Sequence, residues 1–184
     1  MKLSEFKQKL PGESQLNELN SRVQGLMLVL DLVKQMNMKI SRRDILKTII
    51  QYAMKISNCS RGAILITEND DLEFKIGLNI NNDSVSENEF NISYSVCNDV
   101  LKTGSSMFIE EAQGKNYQPT VSIVSLNLHT IFCSPLTFDG SVFGVLYVDS
   151  TSLSTNNMDA INEFFEIFAD HAAITIKNAN QINP

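Results

Sequence analysis

Asp139-Gly140 lies between two runs that are rich in β-branched and aromatic residues, 129–138 and 142–150. Asp-Gly is favoured in two-residue hairpin turns because both central residues of such a turn adopt positive φ. The two runs are therefore predicted to be neighbouring antiparallel strands. This pairing argues against a sheet in which every strand is parallel to the next and is joined to it by a crossover helix.

A second pair of strand-like runs covers 62–67 and 72–78, on either side of the turn segment 69–71. A shorter strand is predicted at 107–109. The segment 79–91 is rich in Asn, Ser and Glu, and it is predicted to be a polar loop.

Segments with helical periodicity lie before, between and after these strands. Ser41 opens a capping-box-like sequence at the start of a helix that ends near Asn58. Short helices are predicted at 94–102 and 120–128, and a last helix with an apolar face begins near 157. Hairpin-linked strands with helices at both ends predict an α+β layer fold around an antiparallel sheet.

Residues 14–40 have an apolar pattern with heptad spacing. Apolar side chains recur at steps of three and four, and the same register places Asn37 at an a position, where a buried Asn can fix helix pairing. The alternative is an ordinary amphipathic helix that folds onto its own sheet. We predict a dimerising helix whose contacts come from Leu16, Leu19, Val23, Leu26, Leu30 and Val33.

Three segments are therefore predicted: a disordered or short helical lead over 1–13, the heptad helix over 14–40, and one globular domain over 41–184. No run approaches the ~20 apolar residues that a membrane span requires, so no membrane partner is expected. The three cysteines are far apart, and no two of them have CxxC spacing. We expect reduced thiols in a cytoplasmic protein.

The charges are distributed unevenly along the chain. Residues 1–60 contain ten Lys and Arg against five Asp and Glu, whereas residues 61–184 contain five against sixteen. An acidic domain repels the phosphate backbone of nucleic acids. We therefore predict no nucleic-acid partner.

Several fragments of the domain are similar, in order and in spacing, to those of a known family. They are RGAILI (61–66), FNISYSV (90–96), VLKTG (100–104), SIVSLNL (122–128) with IFCSPL (131–136), GVLYVDS (144–150) and FADHAAI (168–174). On these fragments the segment 41–181 resembles a GAF domain of the bacterial signalling type.

The resemblance implies a central six-stranded antiparallel sheet. It implies N- and C-terminal helices on one face of that sheet, and short helices and loops that cover a pocket on the other face. It also implies that the helices before and after the domain run side by side and join two protomers. Because this fold hosts many functions, the resemblance does not identify a ligand.

No catalytic constellation is evident, and we predict that the chain is not an enzyme. His129 and His171 are the two histidines, and no H-x₃-H or C-x₂-C spacing occurs, so neither a metal nor another cofactor is predicted. The Cys-His pair of bilin-binding GAF domains and the motif of cyclic-nucleotide-binding members are missing. Free methionine sulfoxide reductases, a related enzyme group, use two pocket cysteines. Cys97 and Cys133 keep that alternative open, although their spacing differs from that group's and the chain has no Trp.

A ligand pocket would present a few polar groups in an apolar cleft. For Ser93 and Thr120 the competing explanation is helix N-capping, and for Tyr147 it is core packing. Asp149-Ser150 is expected to form a turn or to accept backbone N–H groups. We predict ligand contacts from Ser93, Ser95, Tyr117, Thr120, Ser122, Cys133 and Tyr147.

Together these features predict a sensory or regulatory domain that binds an unidentified small molecule or partner. A homodimer would pass the bound state through its terminal helices to an output module of a longer chain, provided that the ligand binds the two helix arrangements unequally. The alternative is a ligand-free dimerisation or adaptor module, and a thiol enzyme is a further one.

Overall fold

The computed structural model describes residues 41–110, 127–152 and 158–182, together with five helical positions nearer the N-terminus. In chain order the elements of the three described ranges are α1 (Arg42–Ser57), β1 (Arg61–Glu68), β2 (Asp71–Leu78), β3 (Ser84–Val85), α2 (Glu87–Phe90), α3 (Tyr94–Thr103), β4 (Met107–Glu110), β5 (Thr130–Phe138), β6 (Ser141–Ser150) and α4 (Met158–Ile182).

The strands form one six-stranded antiparallel sheet in the order β3-β2-β1-β6-β5-β4. This confirms the predicted α+β class and the sheet that the family resemblance implies. The two central strands, β1 and β6, come from opposite ends of the domain and pair with Ile64 opposite Leu146. The N-terminal and C-terminal hairpins therefore meet along one central seam.

Both predicted hairpin turns are confirmed. Asp139 and Gly140 have φ values of 51° and 73°, and Asn69 and Asp70 have φ values of 51° and 70°. Two successive positive φ values give the turn whose twist matches that of the flanking strands. Asn, Asp and Gly tolerate this conformation better than other residues, which explains why they occupy these positions.

The predicted cap of α1 is also confirmed. The Ser41 Oγ accepts a hydrogen bond from the backbone N–H of Asp44 at 3.2 Å, and the Ser41 hydroxyl donates to the Asp44 carboxylate at 2.6 Å. The helix ends at Asn58, which adopts a left-handed φ of 54°. Asn is one of the few residues that accept this C-cap conformation at low cost.

Helices α1 and α4 cover one face of the sheet, which we call the helix-pair face. The rings of Phe108, Phe132 and Phe165 form an aromatic cluster there, with centroids 5.4–6.2 Å apart. Such rings bury large apolar areas, and here they pack α4 against β4 and β5. Large side chains that are fully buried on this face include Ile49, Ile50, Ile64, Leu78, Phe132, Phe165 and Phe168.

Helices α2 and α3 cover the opposite face, which we call the pocket face. Alternation along β6 directs Leu146 and Val148 to the helix-pair face and Val145 and Tyr147 to the pocket face. The predicted layering is therefore confirmed. Buried residues of the pocket face are Ala63, Leu65, Phe90, Ile92, Val96, Cys97, Val100, Ile109, Leu128, Ile131, Cys133, Val145 and Tyr147.

The predicted loop over 79–91 is partly wrong, because β3 and α2 lie within it. Ser86 and Glu89 form a capping box at the start of α2. Glu89 Oε2 accepts from the Ser86 backbone N–H at 3.1 Å and from the Ser86 hydroxyl at 2.6 Å. The Ser-x-x-Glu pattern predicts the start of this helix, whereas the polar composition of the segment favours a loop.

Two predicted helices fall largely or wholly outside the three described ranges. Within the one predicted at 120–128, Asn127 and Leu128 are described and are not helical. Of the six predicted heptad contacts, Val23 and Leu30 are described; both are helical, with 41% and 59% of their surface exposed. The pairing of this helix stays a prediction. None of the helices in the described part of the chain is long and apolar enough to cross a bilayer.

Candidate functional site

The start of β1 and the end of β6 bring two opposite charges together. Arg61 and Asp149 are register partners across the central strands. The Arg61 guanidinium donates from Nε to Asp149 Oδ1 at 2.8 Å and from Nη2 to Oδ2 at 2.7 Å. The Asp149 side chain is fully buried, whereas the Arg61 side chain keeps 27% of its surface exposed. The result is a bidentate ion pair whose cation reaches the surface.

Burial raises the pKa of Asp149, and the hydrogen bonds and charge of Arg61 oppose that rise without cancelling it. Burial lowers the pKa of Arg61, but the Asp149 carboxylate more than offsets this effect and raises the Arg61 pKa. The carboxylate therefore depends on its partner, because a buried charge without a counter-ion is strongly destabilising.

Arg61 also connects β1 to the end of α2. Its Nη1 donates to the backbone carbonyl of Phe90 at 2.7 Å, and its guanidinium carbon lies 4.7 Å from the centroid of the Phe90 ring. A cation over an aromatic face is attracted by the ring's electron density. The conformation of Arg61 therefore determines how the α2 end is held against the sheet.

Tyr147 carries the same network into the core. Its hydroxyl donates to Asp149 Oδ2 at 2.9 Å, and its ring meets the Phe90 ring edge-on at 6.3 Å. Burial, followed by the Asp149 charge, raises the pKa of Tyr147 well above its ordinary value. The phenol therefore stays protonated and remains a donor. We call Arg61, Phe90, Tyr147 and Asp149 the Arg61 network.

Cys97 on α3 and Cys133 on β5 meet in the core of the pocket face. Both residues are fully buried there, and Cys97 is near enough to Cys133 to affect its pKa. Burial, followed by the Cys97 contact, raises the pKa of Cys133 well above its ordinary value. Because the thiolate is the reactive form of cysteine, Cys133 is held in its unreactive form at neutral pH.

A surface cavity of about 380 Å³ opens beside Arg61 at the β2–β3 edge of the pocket face. Its lining combines a guanidinium, a carboxylate, a side-chain amide and a hydroxyl with two apolar residues. Its lining residues are Arg61, Asn79, Ser84, Val85, Glu89 and Phe90.

The predicted ligand residues are placed as follows. Cys133 and Tyr147 are fully buried in the pocket-face core, as cross-strand neighbours. Ser93 is fully buried, and its hydroxyl lies 3.2 Å from that of Ser95. Ser93 occupies the N-cap position of α3, as the N-capping explanation predicts, although its side chain makes no cap hydrogen bond. The other three predicted residues, Tyr117, Thr120 and Ser122, lie outside the described residues.

The sequence reasoning missed Arg61 and Asp149 as interacting residues. The expectation that Asp149 forms a turn or accepts backbone N–H groups is wrong for its side chain, which accepts from Arg61 and Tyr147. A usable signal existed, because Asp149 follows Tyr147 by two positions and so shares its buried face. A carboxylate on a buried face requires a cation. Arg61 begins β1, which pairs antiparallel with β6, so it lies opposite Asp149 near the end of β6.

In the described part of the chain, no group of His, Cys, Asp and Glu side chains is arranged to hold a metal ion. No curated protein sequence matches the chain. A family model described as "GAF domain" matches residues 41–176, which is more than half of the chain.

Three solved structures illustrate the similarity. The GAF domain of a phosphoenolpyruvate-protein phosphotransferase from Coxiella burnetii is 14% identical, with a TM-score of 0.63, and the match covers 90% of this chain and 98% of that one. The GAF domain of a putative sensor histidine kinase from Pseudomonas syringae pv. tomato is 15% identical, with a TM-score of 0.61 and coverages of 91% and 94%.

The third is the free methionine-R-sulfoxide reductase from Neisseria meningitidis, in complex with its substrate. It is 12% identical, with a TM-score of 0.62 and coverages of 90% and 93%. At these identities the structural likeness concerns the fold alone. The sequence match, together with the six-stranded sheet and its two helical layers, shows that this chain belongs to the GAF domain family.

Proposed function

We propose that the chain is a sensory or regulatory domain that binds a small molecule or partner on its pocket face and transmits the bound state through dimeric terminal helices. The observation that carries this proposal is the alternation of β5 and β6 between the two faces. Cys133 and Tyr147 belong to the pocket face, whereas Phe132 and Val148 belong to the helix-pair face. A shift in either strand therefore acts on both layers.

The helix-pair side of these strands leads directly to α4. The Phe132 ring on β5 lies 5.4 Å from the Phe165 ring on α4. Because packed cores switch between discrete arrangements more readily than they deform, repacking at Tyr147 can change the angle of α4. A ligand produces this change only if it binds the two arrangements unequally.

Exposed apolar residues support a role for the terminal helices in assembly. Ile167 and Ile174 are one heptad apart on α4 and expose 39% and 42% of their surface. Val23 and Leu30 in the N-terminal helix have the same spacing and are also exposed. Apolar stripes of this kind favour contact with another apolar surface. We propose a second copy of the chain as that partner, and an output module in a longer protein as the recipient.

The proposed location is the cytoplasm. Cys59, Cys97 and Cys133 are free, buried thiols, and Cys97 and Cys133 belong to the same core cluster. An oxidising compartment would favour pairing of two neighbouring thiols.

The proposal is tested by native mass spectrometry of the freshly purified chain, compared with its denatured mass. We expect a dimer that carries extra non-covalent mass. A dimer at the bare polypeptide mass would favour the ligand-free dimerisation module. A bare monomer would contradict assembly through the terminal helices.

The pairing surface has its own test in the double variant Leu26→Asp with Leu30→Asp. We expect a folded monomer, because two carboxylates among the apolar heptad contacts oppose association. An unchanged dimer would contradict the prediction that these heptad residues join two copies.

A thiol enzyme is the second candidate, because Cys97 and Cys133 are both buried in the core of the pocket face and the Neisseria reductase has the same fold. Cys97→Ser with Cys133→Ser separates the two functions. On the regulatory proposal, assembly and ligand binding persist in this variant. If the wild type turned over free methionine sulfoxide and the double variant did not, the enzyme function would be established.

A further inference from the structure

The Arg61 cavity holds two opposite charges that do not pair with each other. Glu89 and Arg61 both line it, yet among the described residues the salt bridge of Arg61 is to Asp149 and Glu89 has no cationic partner. Opposite charges that face one cavity without pairing are complementary to a ligand that carries both charges.

Arg61 keeps hydrogen-bonding capacity toward the cavity. A guanidinium has five N–H groups. In the described structure three of them are used, two on Asp149 and one on the Phe90 carbonyl. The remaining two N–H groups, on Nη1 and Nη2, are available to a carboxylate, and the partial exposure of Arg61 gives a ligand access.

Glu89 keeps an acceptor. Its Oε2 accepts from Ser86, while Oε1 has no partner among the described residues. The hydrogen bonds from Ser86 lower the pKa of Glu89, so the carboxylate stays ionised at neutral pH. An ionised oxygen with open lone pairs binds an ammonium group well.

The charges around the cavity also indicate what it disfavours. Asp149 already balances Arg61, so the Glu89 carboxylate gives the group a net negative charge. A bare anion is therefore repelled, whereas a molecule with both an ammonium and a carboxylate satisfies both sides. Val85 adds an apolar side chain to the lining, against which a carbon side chain can pack.

We propose that the Arg61 cavity binds the head group of a free amino acid, with the ligand carboxylate on Arg61 and its ammonium on Glu89. The Ser84 hydroxyl, which also lines the cavity, is a further possible donor to the ligand. This proposal names the ligand class for the small-molecule binding of the proposed function and rests on that part of it, but it does not require dimeric transmission.

The test titrates the full chain with three probes, which are L-alanine, propionate and ethylamine. Backbone amide NMR spectra report the binding. Propionate is L-alanine without its ammonium, and ethylamine is L-alanine without its carboxylate. The alanine side chain is too small for a cavity of about 380 Å³ to exclude it. We expect L-alanine to shift amides in 79–90 saturably, and each half-molecule to bind at least about tenfold more weakly.

Glu89→Gln is the matched variant, because Gln retains the capping-box acceptor while the charge is lost. We expect a native-like spectrum and an affinity for L-alanine that is lower by roughly tenfold. The control is Glu87→Gln on the same helix, since Glu87 accepts a hydrogen bond from Tyr94 and does not line the cavity. It is expected to leave the affinity unchanged.

Four results would overturn the proposal: no saturable shift with L-alanine, equal binding of propionate, equal binding of ethylamine, or undiminished binding by Glu89→Gln. The three probes on the wild type decide the question even if a variant folds poorly. A monomer that still binds L-alanine would contradict the dimeric transmission model and leave the amino-acid site intact.

Discussion

The two faces of the sheet each carry a buried cluster, and the two clusters are built differently. The helix-pair face is closed by aromatic rings, with centroids 5.4–6.2 Å apart among Phe108, Phe132 and Phe165. The pocket face buries a carboxylate, a phenol and two thiols beneath two short helices. Apolar packing needs only matching shapes, whereas each buried polar group needs a specific partner.

On the proposed function, this difference assigns transmission to the helix-pair face and ligand response to the pocket face. The helix-pair face is suited to rigid transmission, because interdigitated rings resist small displacements. The pocket face holds groups whose protonation and hydrogen bonding depend on their neighbours. A ligand bound beside them would change those hydrogen bonds. Four predictions test this contrast, in order of decreasing effect on stability.

Arg61→Met should be the most damaging of these changes, because it leaves Asp149 buried without a counter-ion. We expect a loss of about 3–5 kcal/mol in the free energy of unfolding. Lys75→Met is the matched control on β2, where Lys75 pairs with the exposed Glu68 and Glu73, and it should cost under about 1 kcal/mol. Urea denaturation measures both. Equal losses would contradict the special role of the buried pair.

Alkaline pH should destabilise the domain through its buried thiols. Burial raises the pKa of Cys59 from 9.0 to about 12, so above pH 9 the unfolded chain releases a proton that the folded chain retains. The free energy of unfolding should therefore fall as pH rises from 9 toward 12, by at most about 1.4 kcal/mol per pH unit for this group.

Cys59→Ala on the helix-pair face and Cys133→Ala on the pocket face should each flatten this slope, because each variant removes one buried thiol. Urea denaturation at several alkaline pH values gives the slopes. A wild-type slope of zero above pH 9, or no change in either variant, would contradict the burial argument.

Tyr147→Phe removes the hydroxyl that donates to Asp149 in the core. We expect a loss of about 1–3 kcal/mol, since the acceptor is charged and buried. Tyr94→Phe is the surface counterpart, because the Tyr94 hydroxyl donates to the exposed Glu87, and it should cost less. If Tyr94→Phe proved the more costly change in thermal unfolding, burial would not determine the strength of these contacts.

Ile174→Ser should have the smallest effect on the stability of the fold, within about 0.5 kcal/mol, because Ile174 is exposed on α4. Ile176→Ser, two residues further along, is buried and should cost at least about 2 kcal/mol. Light scattering of Ile174→Ser also tests assembly. A weakened dimer with an intact fold would support pairing through α4, and an unchanged dimer would contradict it.

Much of the fold was predictable because its signals are local. The Asp139-Gly140 turn and the Ser41 cap depend on residues within four positions of one another, and both were identified from the sequence. The Ser86–Glu89 capping box is equally local, but the Asn, Ser and Glu around it favour a loop by composition. The spacing of Ser86 and Glu89 is the better predictor, because it reflects the hydrogen bonds that start the helix.

The candidate site was less predictable because its contacts are distant in sequence. Cys133 and Tyr147 were correctly placed on strands, but the partner of Asp149 lies at the other end of the domain. Glu89 and Arg61 share a cavity only because α2 folds back over the start of β1. A single sequence shows that charged residues exist, and it does not show which of them share a buried space.

The sequence by itself determined the two hairpins, β4, α1, α3 and α4, because turn chemistry and side-chain periodicity act over a few residues. The tertiary structure alone decided that β1 and β6 lie side by side at the centre of the sheet. That pairing creates the Arg61–Asp149 ion pair and, through Tyr147, links the surface cavity to the core. Strand pairing across such a separation depends on the whole core closing at once, and no local pattern encodes it.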